Sequence, residues 1–456
     1  MTSTNKNWMP LVLVFAGIAL ALLAVFAKTL WIVALFGVVA VIVIVVSKIE
    51  VGISILCFSA VIDGLLRSQG AIGSLWDDAL YALIVFALIW KLSKENNDKF
   101  KTTLVWWAGI AFFVVACISG LLGGLPYGHI VTAIRSILQG SIIFFVIVNS
   151  GFDRKKLTHL AALLVICATV VAGYAVIQRS AGVFTPRGWL DAASEINYTR
   201  STSFLGSPNA TAGLLALLLP ASIGMTVKVN GLWKKVFWVF CFVIIAYGLY
   251  ATLNRAAWVG LSVGLVVFAV SCGKRWWVML LIGAVAAAIL ILPDLRMRFE
   301  SIFSEDYAWR DSIYGRSFRW GTAINIFERY PIFGIGAGGF GGAVAYGIQA
   351  FGGLYVDNNY LLILSNYGFV GIISFAFILL SSIRESFKGL RAAMEKDRYL
   401  IAGLIGGMVA FIIHLCFENL WDITPLNITF WISCGICAGF AGAERKQREN
   451  QRSDER

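Results

Sequence analysis

Long uninterrupted runs of apolar residues recur along this 456-residue chain. Residues 11–27, 104–122 and 160–177 are typical runs, and each is close to the roughly 20 residues that a helix needs to cross a bilayer. A helix satisfies its backbone hydrogen bonds internally, whereas barrel strands would place polar residues at alternate positions, which these runs lack. The pattern predicts an all-α polytopic membrane protein with about 12–14 transmembrane helices. The predicted spans are 9–27, 29–47, 51–66, 76–92, 103–122, 130–149, 157–178, 208–227, 234–253, 256–272, 276–292, 356–383, 399–417 and 424–442.

Composition excludes a water-soluble fold. Hydrophobic residues make up 59% of the chain and charged residues 14%, whereas soluble domains carry about 25% charged residues. The spans divide into an N-terminal transmembrane bundle over 1–178 and a second membrane region over 179–442. The polar, highly charged segment 443–456 is predicted to be a disordered cytoplasmic tail.

Positive charges divide between the two predicted sides of the membrane. With the N-terminus in the cytoplasm, 24 of the 37 lysines and arginines fall on the inner side, as the positive-inside rule requires. Both termini are therefore predicted to be cytoplasmic. Of the thirteen basic residues outside, twelve are arginine. Guanidinium groups suit bidentate contact with phosphate or carboxylate, although outer arginines also cap helices or extend toward the interface.

Two predicted outer segments, 179–207 and 293–355, are long enough to build a site. The second is a large extracytoplasmic loop in which Arg316–Arg329 reads as an amphipathic helix, with Ala323 and Ile324 on its apolar face. A glycine-rich stretch with Gly334 and Gly336 follows. Glycine backbones can approach an anion closely, but the same stretch also suits a plain turn.

Polar residues mark the return of the chain to the membrane. Asp357 precedes Asn358, Asn359 and Tyr360 at the mouth of a span. A carboxylate that faces arginines suits a general base, and it equally suits the N-cap of the following helix.

A second polar group lies near the outer end of the thirteenth predicted span. His414 and Glu418 are four residues apart, so they can share a helix face and orient one another or an acceptor. The simpler interpretation is a polar contact that fixes helix packing. Cys434 and Cys437 have the spacing of a redox or metal motif, but they lie in the middle of the last predicted span, where small polarizable residues pack well. The sequence therefore supports no metal site. No metal, other cofactor or nucleic-acid partner is expected.

Several short strings resemble the O-antigen ligase and polymerase superfamily. The resemblance extends from about Arg200 to Gly371, and the combination of order and spacing is more specific than any single motif. Its elements are Asn254-Arg255-Ala-Ala-Trp258-Val-Gly260, Arg316 four residues before Trp320, Pro331-Ile-Phe-Gly334-Ile-Gly336, Asp357-Asn358-Asn359-Tyr360, and Arg200 with Phe204 and Pro208-Asn209.

The resemblance implies a metal-independent enzyme of the bacterial cytoplasmic membrane. Such an enzyme transfers a glycan from a polyprenyl-diphosphate carrier to an acceptor hydroxyl of a glycan, lipid or protein on the extracytoplasmic side. Residues 179–442 would form the catalytic region. The implied diphosphate-binding residues are Arg200, Arg255, Arg316 and Arg319. Asp357 would be the catalytic base, supported by Asn358, Asn359, Tyr360, Gly334, Gly336, His414 and Glu418.

One departure from the family pattern bears on the reaction. Many ligases carry histidine where this chain has Asp357, which favours a polymerase-like or other surface-glycan transferase. The alternative function is a transporter or flippase for an anionic lipid-linked saccharide. That function predicts charges near the middle of spans and an internal repeat, and the sequence shows neither.

Overall fold

The computed structural model describes residues 30–66, 71–94, 100–183, 199–300, 303, 305–313, 315–348 and 350–454, together with position 17. Within these residues the regular secondary structure is helical, apart from one isolated bridge between Gly341 and Tyr355. The predicted all-α class is confirmed. The predicted span 9–27 lies outside the described residues, apart from position 17.

The N-terminal part contains eight described α-helices. They are α1 (Leu30–Ser47), α2 (Ile49–Leu56), α3 (Ser59–Leu66), α4 (Ala71–Lys94), α5 (Leu104–Leu122), α6 (Tyr127–Leu138), α7 (Ser141–Asn149) and α8 (Arg154–Ser180).

The remaining part contains three groups of helices. The first is α9 (Pro208–Lys228), α10 (Leu232–Thr252), α11 (Arg255–Ser271) and α12 (Arg275–Ile291). The large loop carries the short helices α13 (Pro293–Glu300), α14 (Glu305–Ile313), α15 (Arg316–Arg329) and α16 (Ala343–Gly347), as predicted. The last group is α17 (Asn359–Ala392), α18 (Glu395–His414) and α19 (Thr424–Asp454).

Fewer helices than the fourteen predicted spans are long and apolar enough to cross a membrane. Among the described residues seven helices qualify, or up to nine if each of two bent pairs is one span. Part of the difference arises because predicted spans 51–66 and 130–149 are each divided between two shorter helices. The two bent pairs are 39–47 with 49–56, bent by 115°, and 127–138 with 141–149, bent by 48°. Helices α11 and α12 have only 17 residues each. The chain is a multi-pass membrane protein.

The boundaries of α15 match the prediction, but its buried face differs from the predicted one. Ala323 and Ile326 are the buried residues of this helix, whereas Ile324 is 43% exposed. The helix therefore packs through a neighbouring face.

Helix α17 is broken at Gly368, inside the predicted span 356–383. Gly368 has φ 65° and ψ −161°, and a Cβ atom there would lie 2.3 Å from the carbonyl oxygen of Ile332. The Phe369 amide donates to the Pro331 carbonyl at 2.8 Å. A broken membrane helix is stable only where neighbouring groups satisfy its backbone. The loop at 331–336 supplies these partners.

Close helix contacts centre on α18, which packs between α9 and α11. A Cβ atom on Gly407 would lie 1.7 Å from the Leu217 carbonyl oxygen, and one on Gly264 would lie 2.3 Å from the Gly406 carbonyl oxygen. Small residues allow such close backbone approach in membrane helices. This packing holds the ends of α9, α11 and α18 together.

Charged residues that were predicted to lie on the same side of the membrane form ion pairs with one another. The Asp397 carboxylate accepts hydrogen bonds from Arg154 and Lys228, all three predicted to be inside. Arg179 and Asp294, both predicted to be outside, pair with each other. The structure therefore agrees with the predicted grouping of these residues into two sides.

The final helix continues to Asp454, through most of the segment predicted to be a disordered tail. Residues 443–454 include several Glu, Arg, Lys and Gln, which are good helix formers. Polarity alone was therefore a poor guide to disorder here.

Candidate active site

Six segments that are distant in sequence contribute polar residues to one end of the bundle. Hydrogen bonds and charge interactions link these residues into one cluster, which we call the arginine site. Its members are Arg200, Asn209 in the first turn of α9, Asn254 and Arg255 at the start of α11, Arg316 and Arg319 in α15, Asp357 before α17, and Glu418 after α18.

Glu418 is the centre of this site. One carboxylate oxygen, Oε1, accepts from Arg316 Nη2 at 2.6 Å and from Asn209 Nδ2 at 2.7 Å. The residue is only 5% exposed. Burial raises the pKa of its carboxyl to about 7, against the charge of Arg316, and the nearby Asp357 adds to the increase. Burial thus opposes ionisation of Glu418, whereas Arg316 and Asn209 favour it.

Arg200 joins the site from the loop before α9. Its Nη2 donates to Asn209 Oδ1 at 2.9 Å, and its Nε donates to the Thr252 carbonyl at 3.1 Å. Burial lowers the pKa of Arg200 to about 10, an effect that Glu418 opposes and that Arg255 and Arg316 reinforce. The guanidinium therefore stays charged near pH 7, in a field of like charges.

Asn254 positions Arg255, whose side chain interacts electrostatically with Arg200. The Asn254 side chain caps α11 by accepting from the Ala257 amide at 2.9 Å, and it donates to Asn209 Oδ1 at 2.7 Å. Asn209 therefore connects Arg200, Asn254 and Glu418. This amide fixes the relative positions of three segments.

Asp357 pairs with Arg319 rather than capping a helix. Its Oδ2 accepts from Arg319 Nη1, and Arg319 Nε donates to the Gly315 carbonyl at 3.1 Å. Asp357 has φ 49°, a left-handed conformation that is uncommon for a residue with a side chain. The N-cap of α17 is Asn358, which accepts from the Tyr360 and Leu361 amides. The N-cap interpretation of Asp357 is wrong.

Asn358, Asn359 and Tyr360 attach the start of α17 to the end of α18. The Asn358 amide donates to Asn419 Oδ1 at 3.0 Å, and the Asn359 amide donates to the Leu415 carbonyl at 2.8 Å. The Tyr360 hydroxyl donates to the Ile412 carbonyl at 2.9 Å. These residues set the position of the preceding Asp357.

The glycine-rich loop directs at least three of its amides to α17 or to its own turn. The Ile335 and Gly336 amides donate to the carbonyls of Ser365 and Asn366, and the Gly334 amide donates to Tyr330. A Cβ atom on Gly334 would lie 2.3 Å from the Asn366 carbonyl carbon. Gly334 and Gly336 thus allow close backbone packing beside the helix break, and their own amides are already bonded within the protein.

His414 and Glu418 do not bond to each other. Helix α18 ends at His414, so the two residues do not share a regular helix face. His414 is fully buried, and neither ring nitrogen has a hydrogen-bond partner among the described residues. The prediction that they orient one another is not supported by these contacts.

Three asparagines at or beside the site received no role from sequence analysis. Asn209 and Asn254 appeared only within the strings that carried the resemblance, and Asn419, next to Glu418, was not singled out. Asn419 also donates to the Gly341 carbonyl at 2.6 Å, which ties the large loop to the turn after α18. Amides without charge give little indication of a site in a single sequence.

The described part of the chain contains no group of three or more His, Cys, Asp or Glu residues that could hold a metal ion. The arginine site is instead a cationic cluster balanced by two carboxylates. Such a cluster suits an anion with several oxygen atoms, such as a diphosphate.

These features define a multi-pass helical membrane protein with a cationic site at one end of its bundle. A protein-family model described as O-antigen ligase matches residues 240–376, and this match confirms the resemblance to the O-antigen ligase and polymerase superfamily. It supports surface-glycan transfer of the ligase or polymerase type. The matched segment includes Arg255, Arg316, Arg319 and Asp357, whereas Arg200 and Glu418 lie beyond it. No curated protein matches the chain.

The raised pKa of Glu418 generates a pH-dependent stability difference. Because the folded carboxyl releases its proton near pH 7 and not near the usual 4.5, the folded protein binds more protons than the unfolded chain between these values. This contribution to stability is present below about pH 4.5 and is lost as pH rises through the folded pKa. We expect wild type to lose stability relative to Glu418→Gln from about pH 5 to about pH 8. Thermal unfolding in detergent measures this difference, and parallel pH curves would contradict it.

Proposed function

We propose that this protein transfers a glycan from a polyprenyl-diphosphate carrier to an acceptor hydroxyl at the extracytoplasmic face of the cytoplasmic membrane. The observation that carries the proposal is the convergence of Arg255, Arg316 and Glu418 on Arg200, beside the Arg319–Asp357 pair. A site at the polar end of a membrane bundle suits such a donor, because the polyprenyl tail can stay in lipid while the head group reaches that end.

Diphosphate binding requires an exchange of ion-pair partners. Arg316 and Arg319 donate to Glu418 and Asp357, so the phosphate oxygens would replace these carboxylates as acceptors. Phosphate and carboxylate accept similar bidentate hydrogen bonds from guanidinium, which makes the exchange feasible. Donor binding would then release the Asp357 carboxylate close to the diphosphate.

The reaction follows from this arrangement. The acceptor hydroxyl oxygen attacks the anomeric carbon of the donor from the face opposite the diphosphate, and the bond from that carbon to the diphosphate oxygen breaks. The hydroxyl proton passes to Asp357, while the electron pair of the broken bond stays on the carrier diphosphate. Arginine stabilises the departing group because its negative charge increases in the transition state. The configuration at the anomeric carbon would be inverted.

The catalytic region extends beyond the family match. Arg200 lies before residue 240 and Glu418 lies after residue 376, yet both contact Asn209. We therefore assign residues 179–442 to the catalytic membrane region and 1–178 to a supporting bundle. Asp357 at the position of the ligase histidine favours a polymerase-like transferase. Glycans of a deletion strain test this point: single repeat units without long chains indicate a polymerase, and free polymer on the carrier indicates a ligase.

A transporter for an anionic lipid-linked saccharide remains the second candidate. Transport would favour charged residues near the middle of membrane helices. In α9 and α18 the charged residues lie at the helix ends, such as Lys228 and Asp397. The arginine site likewise occupies loops, helix starts and the short helix α15, which favours a transferase.

The proposed sidedness places α14 outside the cell and the start of α10 inside. A cysteine introduced at the exposed Ser312 of α14 should react with a membrane-impermeant thiol reagent in intact cells. A cysteine at the exposed Lys235 should react only after the cells are broken. Unsubstituted protein gives the background of the eight native cysteines. The reverse pattern would refute the proposed orientation.

The assignment of the base rests on Asp357. Asp357→Asn preserves shape but cannot accept a proton, so turnover with a lipid-linked donor should fall about 10²- to 10⁴-fold while donor binding persists. Glu328→Gln is the matched control, because it removes an exposed carboxylate at the far end of α15, and its turnover should be normal. Near-normal turnover by Asp357→Asn would exclude Asp357 as the base. A larger loss in Glu418→Gln than in Asp357→Asn would move that role to Glu418.

A further inference from the structure

A cavity of about 320 Å³ lies at the start of α8, far from the arginine site. Its lining residues are Glu50, Lys155, Lys156, His159 and Leu160. Helix α8 has 27 residues, which corresponds to a length of about 40 Å. Arg179, on the side of the arginine site, lies at the opposite end of this helix. The cavity is therefore a separate feature at the other end of the bundle.

The cavity carries an excess of positive charge. Lys156 Nζ pairs with Glu50 Oε1 at 2.8 Å, and Glu50 is the single carboxylate among the lining residues. Lys155 and His159 are exposed. Cations at a helix start oppose the helix dipole, and the N-cap carboxylate of Asp153, which accepts from the Lys156 amide, offsets part of this effect. Lys155 has no ion pair of its own among the lining residues, so an anion in the cavity would pair with its ammonium group.

An apolar stripe leads away from the cavity along α8. Leu163, Ile166 and Val170 follow His159 at intervals of four, three and four residues, which places all four on one helix face. Leu163 and Ile166 are partly exposed, and Val170 is 42% exposed. A cationic cavity at the end of a partly exposed apolar stripe matches, in its order, the charged head group and the acyl chain of a lipid.

We propose that this cavity binds the phosphate head group of an anionic phospholipid. Lys155, Lys156 and His159 would donate to the phosphate oxygens, and an acyl chain would lie along the stripe of α8. Basic pockets between membrane helices on the cytoplasmic side are suited to anionic lipids, and the charge distribution predicts that this end of α8 is cytoplasmic. The positive-inside rule alone explains the lysines but not their place around a cavity that continues into an apolar stripe.

The test uses full-length protein purified in detergent, with phosphatidylglycerol and phosphatidylcholine as probes. Native mass spectrometry measures how much of each lipid the protein retains. Wild type should retain phosphatidylglycerol preferentially. Each lysine near an anionic surface contributes a factor of about five to binding, so Lys155→Gln/Lys156→Gln should weaken that retention roughly twenty-fivefold. Equal retention of both lipids by wild type would overturn the proposal.

A matched control separates this cavity from general attraction to basic segments. Lys234→Gln/Lys235→Gln removes an adjacent exposed lysine pair near the start of α10, outside the cavity, and should retain phosphatidylglycerol as wild type does. An equal loss in both double variants would overturn the site. Lys155→Gln alone leaves the Lys156–Glu50 pair in place, and it should show about a fivefold loss even if the double variant folds poorly.

Inorganic phosphate distinguishes a lipid from a soluble anion. It should not displace phosphatidylglycerol when present at the same concentration, because it lacks the acyl chain that contacts the stripe. If inorganic phosphate displaced the bound lipid as effectively as added phosphatidylglycerol does, the cavity would be a site for free phosphate, and the lipid assignment would be overturned.

Discussion

The proximity of several guanidinium groups is the constraint on which the arginine site depends. Arg200, Arg255 and Arg316 are close enough for the charges of the latter two to lower the pKa of Arg200. Such repulsion in a partly buried position requires counter-ions. The Glu418 carboxylate is the counter-ion of Arg316, and the Asp357 carboxylate is the counter-ion of the neighbouring Arg319. In the proposed reaction a diphosphate replaces these two carboxylates as the partner of the arginines. The arginine–carboxylate pairs stabilise the site before the donor binds, and donor binding exchanges them for arginine–phosphate pairs.

The fold brings these charges together through close helix packing. Gly407 of α18 allows a close approach to the backbone of α9, and Gly264 of α11 allows a close approach to the backbone of α18. The ends of these helices carry Asn209, Arg255 and, in the turn after α18, Glu418. The break at Gly368 provides the corresponding link to the large loop, because the loop segment at 331–336 forms hydrogen bonds with the interrupted helix. Helix packing and the helix break therefore both determine the geometry of the site.

Sequence alone predicted the helical class and the bounds of α15, and it singled out the four arginines that the structure brings together. These features depend on local periodicity and charge, which a linear pattern records. It did not predict the break at Gly368, the partner of Glu418 or the linking role of Asn209, because each depends on contacts between distant segments. Asp357 shows the same limit of a single sequence, because a general base and an N-cap use the same carboxylate oxygen atoms. The structure excludes the N-cap role, since Asn358 is the N-cap of α17.

The central claim is that the arginine site binds diphosphate, and the affinity of purified protein for a polyprenyl diphosphate tests it most directly. Arg316→Ala and Arg255→Ala should each weaken binding about ten- to hundredfold, the loss expected for charge-assisted hydrogen bonds. Arg316→Lys should restore little, since lysine lacks the planar fork. Arg329→Ala, at the exposed far end of α15, should bind as wild type does. Unchanged affinity in both Arg316→Ala and Arg255→Ala would contradict the account.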